Sequence, residues 1–387
     1  MLQTPKPLNL ELASDYKKSL MKNYLFLFFV FFYSFLSFAQ NFTKSSSYLQ
    51  TDFFYGKLIE HDKKLKNAIQ NNPYGFMLSW NTKNTENSTF NTLYNFPERG
   101  YTFLYENFNS TVLGEAYGAY RHYTYNLTPK KNHQLNLTSA FGLAYTTKPY
   151  NRIRNNQNVA FGSKLLVSAY LKLQYFTFFT NTNFGLRAGL SLIHFSNISF
   201  KSPNLGINTV AFNLGVNYKL KALKIPISNN IDSENKIASK VHYNLILRGG
   251  YNESLEIDSG LFPFYTVTFY ASKNINRYST ITTGIDFFDA TFLKNYIEDI
   301  NKNEGKTYNE NNYRRAGIFI GHELIQNNFA FISQIGYTFY YPFPYVSRVY
   351  ERFGFKYNIS KHFFSEITMK VNLFRAESLE FGIGYKF

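Results

Sequence analysis

Between positions 194 and 208 the sequence gathers residue types that can break an acyl bond. His194 and Ser196 stand two apart in the run Leu190-Ser191-Leu192-Ile193-His194-Phe195-Ser196-Asn197. On a strand that spacing puts both side chains on one face, with Cα atoms ~7 Å apart. An imidazole can then reach a hydroxyl as general base, and the hydroxyl can act as nucleophile. Asn208 opens the next apolar run, and its parity matches Val210, Phe212, Leu214 and Val216. If the two runs form a hairpin, Asn208 meets His194 near the tip. There it can accept a hydrogen bond from the imidazole and hold its tautomer, as the third member of a triad does. Asn197 offers a side-chain amide to a developing oxyanion, together with the backbone amides after Ser196.

These residues need strands to hold them, and strand signatures run through the chain. In 165–175 the odd positions read Leu165, Val167, Ala169, Leu171, Leu173 and Tyr175, with Lys164, Ser168, Lys172 and Gln174 on the other parity. Residues 210–220 and 329–341 alternate in the same way, and similar runs recur from 48–59 to 378–387. Period-2 alternation marks strands with one apolar face. Many runs reach the ~10 residues that a tilted strand needs to cross a bilayer. The reading is an all-β chain, a transmembrane antiparallel β-barrel of roughly 12–16 strands, with 14 the best single number. Residues 222–240 and 290–312 read as long loops, and 40–387 as one barrel.

Residues 1–39 read as a leader. Met21-Lys22-Asn23 precedes an apolar run from Tyr24 to Phe38, and Ser37-Phe38-Ala39-Gln40 is a small-x-small cleavage site. Cleavage is expected after Ala39, and Met21 is a candidate start. The run is shorter than the ~20 residues of a spanning helix. With no other apolar segment of that length, membrane residence requires a closed barrel.

Composition agrees. There are 33 Tyr and 42 Phe but one Trp, and mean hydropathy is −0.29. Aromatic residues favour strands and suit membrane interfaces. The absence of cysteine excludes thiol nucleophiles, Cys-bound zinc and disulfides. The net charge of +16 falls to +14 without residues 1–39, an excess that points to an anionic partner or to basic loops and a basic lumen. Basic and aromatic residues alternate as strand faces, so no nucleic-acid partner is expected. His61, His122, His133, His242, His322 and His362 are scattered, and His322-Glu323 is a weak metal candidate.

The parity of β-runs adds one more point. Phe184, Leu186, Ala188, Leu190 and Leu192 share parity with His194 and Ser196. In a barrel this apolar face looks at lipid, so the even positions from Phe184 to Ser196 are expected to point away from the axis. His194 and Asn208 are expected within hydrogen-bond reach.

His194-Phe195-Ser196-Asn197, followed by Pro203-Asn204-Leu205-Gly206-Ile207-Asn208, resembles the active-site segment of the acyloxyacyl hydrolase family, which includes the lipid A 3-O-deacylases. Asn95 to Gly100, Thr147 to Tyr150, Asn158 to Ser163 and the ending Gly382 to Phe387 also resemble larger members. The resemblance implies an outer-membrane barrel with its site on the outer wall, Ser196 as nucleophile, His194 as base and an oxyanion hole near Asn197. Better-known deacylases carry an acid where this chain has Asn208. Outer-membrane phospholipase A is similar too, with His-x-Ser-Asn and a distal Asn. The resemblance implies an exported esterase whose partner is a membrane lipid, lipid A first and phospholipid second. No cofactor is expected, except calcium in the phospholipase reading. A non-catalytic channel or transporter barrel is the rival reading, and the sequence does not decide the oligomeric state.

Overall fold

A computed structural model describes residues 46–83, 91–92, 94–128, 133–179, 181–197, 200–220, 240–254, 256–373 and 375–387. The leader and its cleavage site lie outside the described residues, as does nearly all of the insert 222–240. No helix among the described residues is long and apolar enough to cross a membrane.

Among the described residues there are sixteen antiparallel strands, the upper end of the expected range. Strands β1 (Ser46–Leu58), β2 (Tyr74–Lys83), β3 (Glu98–Asn107), β4 (Glu115–Asn126), β5 (His133–Thr146), β6 (Leu165–Phe178), β7 (Phe184–Ser196) and β8 (Ile207–Lys219) close one barrel. Strands β9 (Val241–Asn252), β10 (Phe262–Asn276), β11 (Ser279–Ala290), β12 (Arg314–Gln326), β13 (Phe329–Tyr340), β14 (Val349–Asn358), β15 (Phe363–Asn372) and β16 (Arg375–Lys386) close a second. The sequence reading took 40–387 as one barrel of about fourteen strands, and here the structure differs. β8 turns back to pair with β1 from Lys219↔Tyr48 to Thr209↔Leu58. Alternation tells a strand which face is apolar, not which neighbour it takes, so one large hoop and two small ones share a pattern.

Eight strands leave an interior just wide enough for side chains to fill. In the first barrel Lys172 Nζ donates to Asp52 at 2.7 Å, Arg187 to Gln174 at 3.1 Å, and Tyr120 to Ser168 at 2.6 Å. The second is filled by ion pairs: Arg352 with Asp286 (2.9 Å) and Glu380 (2.6 Å), Arg248 with Glu366 (2.7 Å), and Lys356 with Glu323 (3.0 Å). Among the described residues on strands, seven buried basic side chains stand with seven buried acidic ones. The lumens are therefore balanced rather than basic, and the positive excess lies outside them.

The outward faces are apolar. Leu171, Leu173, Phe212, Leu214, Ile335 and Phe381 are exposed. Antiparallel order puts the connections 59–73, 108–114, 147–164 and 197–206 at one end of the first barrel, with 84–97 at the other, and gathers the longer connections of the second, 253–261, 291–313 and 341–348, at one end. The insert 290–312 is not all loop, for helix α1 (Thr291–Glu304) packs Phe292, Leu293 and Ile297 against Phe264 and Phe343, and Gly305 ends it with φ +63°. The barrels stand side by side. Ser202 donates to Glu253 and Ser254 at the long-loop end, Phe141 meets Phe355 at 6.4 Å on the walls, and Tyr94 meets Tyr278 at 6.3 Å at the far end.

Candidate active site

The site is built on the β7–β8 hairpin. On β7 the odd positions turn inward, and Phe195 is fully buried with its ring 5.6 Å from Phe108, which lies 5.8 Å from Phe161. That aromatic cluster anchors the strand end, so the even positions face out as expected. Leu190 and Leu192 are exposed and His194 is partly buried. β8 pairs with β7 so that His194 stands directly opposite Asn208. Nδ1 of His194 lies 2.8 Å from Oδ1 of Asn208. An amide oxygen only accepts, so Nδ1 carries the proton and Nε2 is left as the basic nitrogen.

Ser196 shares the outward parity but is not open to lipid, being only 3% exposed. The connection after β7 folds over it. Ser196 Oγ donates to Asn204 Oδ1 at 3.1 Å, and the Asn197 amide N–H donates to the same oxygen at 2.9 Å. That cover is pinned from two sides. Leu205 and Gly206 donate backbone bonds to Val159 and Ala160, both at 3.1 Å, while Asn158 Oδ1 accepts from Ala160 and Phe161. From the other side, Ser202 is bonded to the second barrel. Gly206 has φ +70°, and a Cβ there would press on His194 Cε1 at 3.2 Å, so only glycine lets the chain pass under the imidazole.

The Asn197 side-chain amide is turned away from the serine, toward the Lys201 carbonyl. The group beside Ser196 that bears on an oxyanion is the Asn197 backbone N–H. Two further residues stand at the site. Asn204 lies in a stretch read as a turn. His61 comes from the β1–β2 connection, where its Nδ1 lies 3.3 Å from Ile59 O and 3.4 Å from Asn208 Nδ2, and its Nε2 lies 3.0 Å from Leu205 O. His61 thus stands against the Asn208 amide nitrogen, while the amide oxygen faces His194. A contact spanning 147 positions leaves no local signal in the sequence. His322 and Glu323 point to opposite faces, the first bonded to Ser279 at 2.6 Å and the second to Lys356, so they do not form a joint site.

Residues 74–217 match the family model described as Lipid A 3-O-deacylase (PagL), and residues 241–387 match the one described as Acyloxyacyl hydrolase, C-terminal domain. The chain belongs to the acyloxyacyl hydrolase family. As a member of that family it is an ester hydrolase carried on β-barrels. The two matches divide the hydrolase where the structure does, one over β2 to β8 and the other over β9 to β16. Among solved structures, the hydrolase is similar to the crystal structure of the outer membrane enzyme PagL, with 18% identity and a TM-score of 0.33 over 46% of this chain and 99% of that one. It is also similar to a mutant of Rh. blastica porin, at 9% identity and a TM-score of 0.19 over 89% of this chain and all of that one. No curated protein sequence matches the hydrolase.

Proposed function

We propose that the chain is exported to the outer membrane, where it removes a fatty acyl chain from lipid A through Ser196, His194 and Asn208 on the outer wall of its first barrel. The observation that carries this reading is the 2.8 Å bond between His194 Nδ1 and Asn208 Oδ1 on an outward, apolar strand pair. It leaves Nε2 as the nitrogen able to take a proton, with Ser196 two residues further along the same outward parity. In the reaction Ser196 gives its proton to His194 Nε2 as Oγ attacks the ester carbonyl. The carbonyl oxygen takes the Asn197 N–H in place of Asn204 Oδ1 and carries the negative charge of the tetrahedral intermediate. His194 then protonates the departing sugar oxygen, leaving an acyl-serine. Water, deprotonated by the same nitrogen, attacks the acyl-serine. The fatty acid leaves and Ser196 regains its proton.

Tails lying along Leu190, Leu192, Val210 and Phe212 let the ester approach without leaving the bilayer. The packed lumens favour this reading over a channel, since charged side chains occupy the space that a solute would cross. An asparagine as third member favours phospholipase A as the alternative. The test offers purified protein in detergent lipid A and diacyl phospholipid separately, with mass spectrometry of the products. Release of hydroxy fatty acid from lipid A supports the first reading, and lysophospholipid the alternative. No product from either refutes hydrolysis at this wall.

Asn208→Ala is expected to lower kcat about 10- to 100-fold, because the imidazole loses both a hydrogen bond and its alignment. Asn208→Asp should keep activity, since a carboxylate oxygen accepts the same proton. A stopped assay on a fatty-acid ester measures both. An alanine variant within threefold of the native rate would remove Asn208 from the relay.

A further inference from the structure

A cleft of 240 Å³ opens between the long-loop ends of the two barrels. His61, Asp62 and Leu205 line it from the first barrel, and Ser347, Leu373 and Arg375 from the second. It begins where the reacting groups end, because His61 lies against the Asn208 amide. A lipid whose tails run along Leu192 and Val210 and whose ester reaches Ser196 must put its polar head beyond the strand ends, toward these connections. Neither lumen has room for it.

The lining mixes hydrogen-bonding groups with two leucines, as a sugar ring with polar edges and apolar faces requires. Charge selects further. Arg375 supplies a guanidinium, and the exposed Lys63 and Lys64 follow directly after Asp62, whose carboxylate accepts the Lys64 backbone N–H at 2.9 Å. Glu351 adds a second carboxylate, accepting the Leu373 backbone N–H at 3.2 Å, and the selecting cation in the lining is Arg375, whose guanidinium is well matched to phosphate oxygens.

We infer that this cleft is the headgroup subsite, that it takes a phosphorylated sugar, and that the second barrel supplies its far wall, with Arg375 as the phosphate anchor. The inference rests on the Ser196 reading above. It gives the second barrel a part in substrate selection beyond its hold on the loop over Ser196.

The test uses the full chain in detergent micelles with three substrates: phosphorylated lipid A, its dephosphorylated form and a p-nitrophenyl fatty-acid ester. Arg375→Ala should lower the ratio of kcat/KM on lipid A to kcat/KM on the small ester about tenfold, the worth of one charged hydrogen bond. The change should lie in KM and disappear on dephosphorylated lipid A. An unchanged ratio, or an equal fall on the dephosphorylated lipid, overturns the inference. If the variant does not assemble, the native chain still decides, since equal kcat/KM on the two lipids also overturns it. Ser196→Ala separates the two levels. Hydrolysis that survives that change overturns the parent reading, whereas an unchanged ratio with Ser196 essential overturns the subsite alone.

Discussion

Replacing Ser196 with alanine is expected to lower kcat on lipid A about 10⁴-fold or more while both barrels still assemble. The loss is large because a nucleophile works as a unit with its base, and removing it leaves only binding and oxyanion stabilisation. Assembly survives because the lost hydroxyl bonds the loop that covers it, while the β7 ladder to β6 and β8 is made by the backbone. Kinetics on the purified variant, with its electrophoretic heat-modifiability as the check on folding, measure both. An assembled variant that retains full activity would take the reaction away from this hairpin.

The second large effect is on stability. Asp286 sits in the middle of the second lumen, where it accepts from Arg352 at 2.9 Å and from Thr268 and Tyr350, with Arg248 at 3.8 Å. Asp286→Ala leaves two guanidinium groups facing each other without their shared anion. Breaking such a buried pair costs about 3–5 kcal/mol. The loss should fall on the second barrel, because each hoop closes its own ladder. Trp80, the single tryptophan, lies on β2 and reports the first barrel alone. Thermal melts should therefore show the circular-dichroism transition of the second barrel moving down while the Trp80 fluorescence transition stays. A melt unchanged in both signals would mean that the ion pairs carry no net stability.

How much of this was legible in the sequence varies from residue to residue. The faces of β6, β7 and β8 were, because period-2 alternation is a direct record of which side meets lipid. So was the meeting of His194 with Asn208, which follows from parity and a single short connection. The cover over Ser196 was not. It depends on bonds from Leu205 and Gly206 to Val159 and Ala160, and on Ser202 reaching the second barrel, none of which leaves a local pattern. For the oxyanion the sequence offers both the backbone amides after Ser196 and the Asn197 side chain, and of these the Asn197 backbone N–H stands beside the serine while the side chain bonds Lys201. α1 was within reach, since Phe292, Leu293, Ile297 and Ile300 repeat at helical spacing inside a stretch read as loop. The division into two hoops was beyond alternation, because β8 carries the same pattern whether it pairs onward with β9 or back with β1.

The two hoops are not fastened alike. β8 and β1 are joined through eleven register pairs, whereas β9 and β16 are joined through six, the shortest ladder among the described residues. A ring under sideways pressure from the bilayer yields at its weakest joint. The first barrel, which carries the candidate site, is sewn shut along almost the full length of its closing strands. The second is clasped rather than sewn, and the charges knotted across its lumen brace what its backbone holds less firmly.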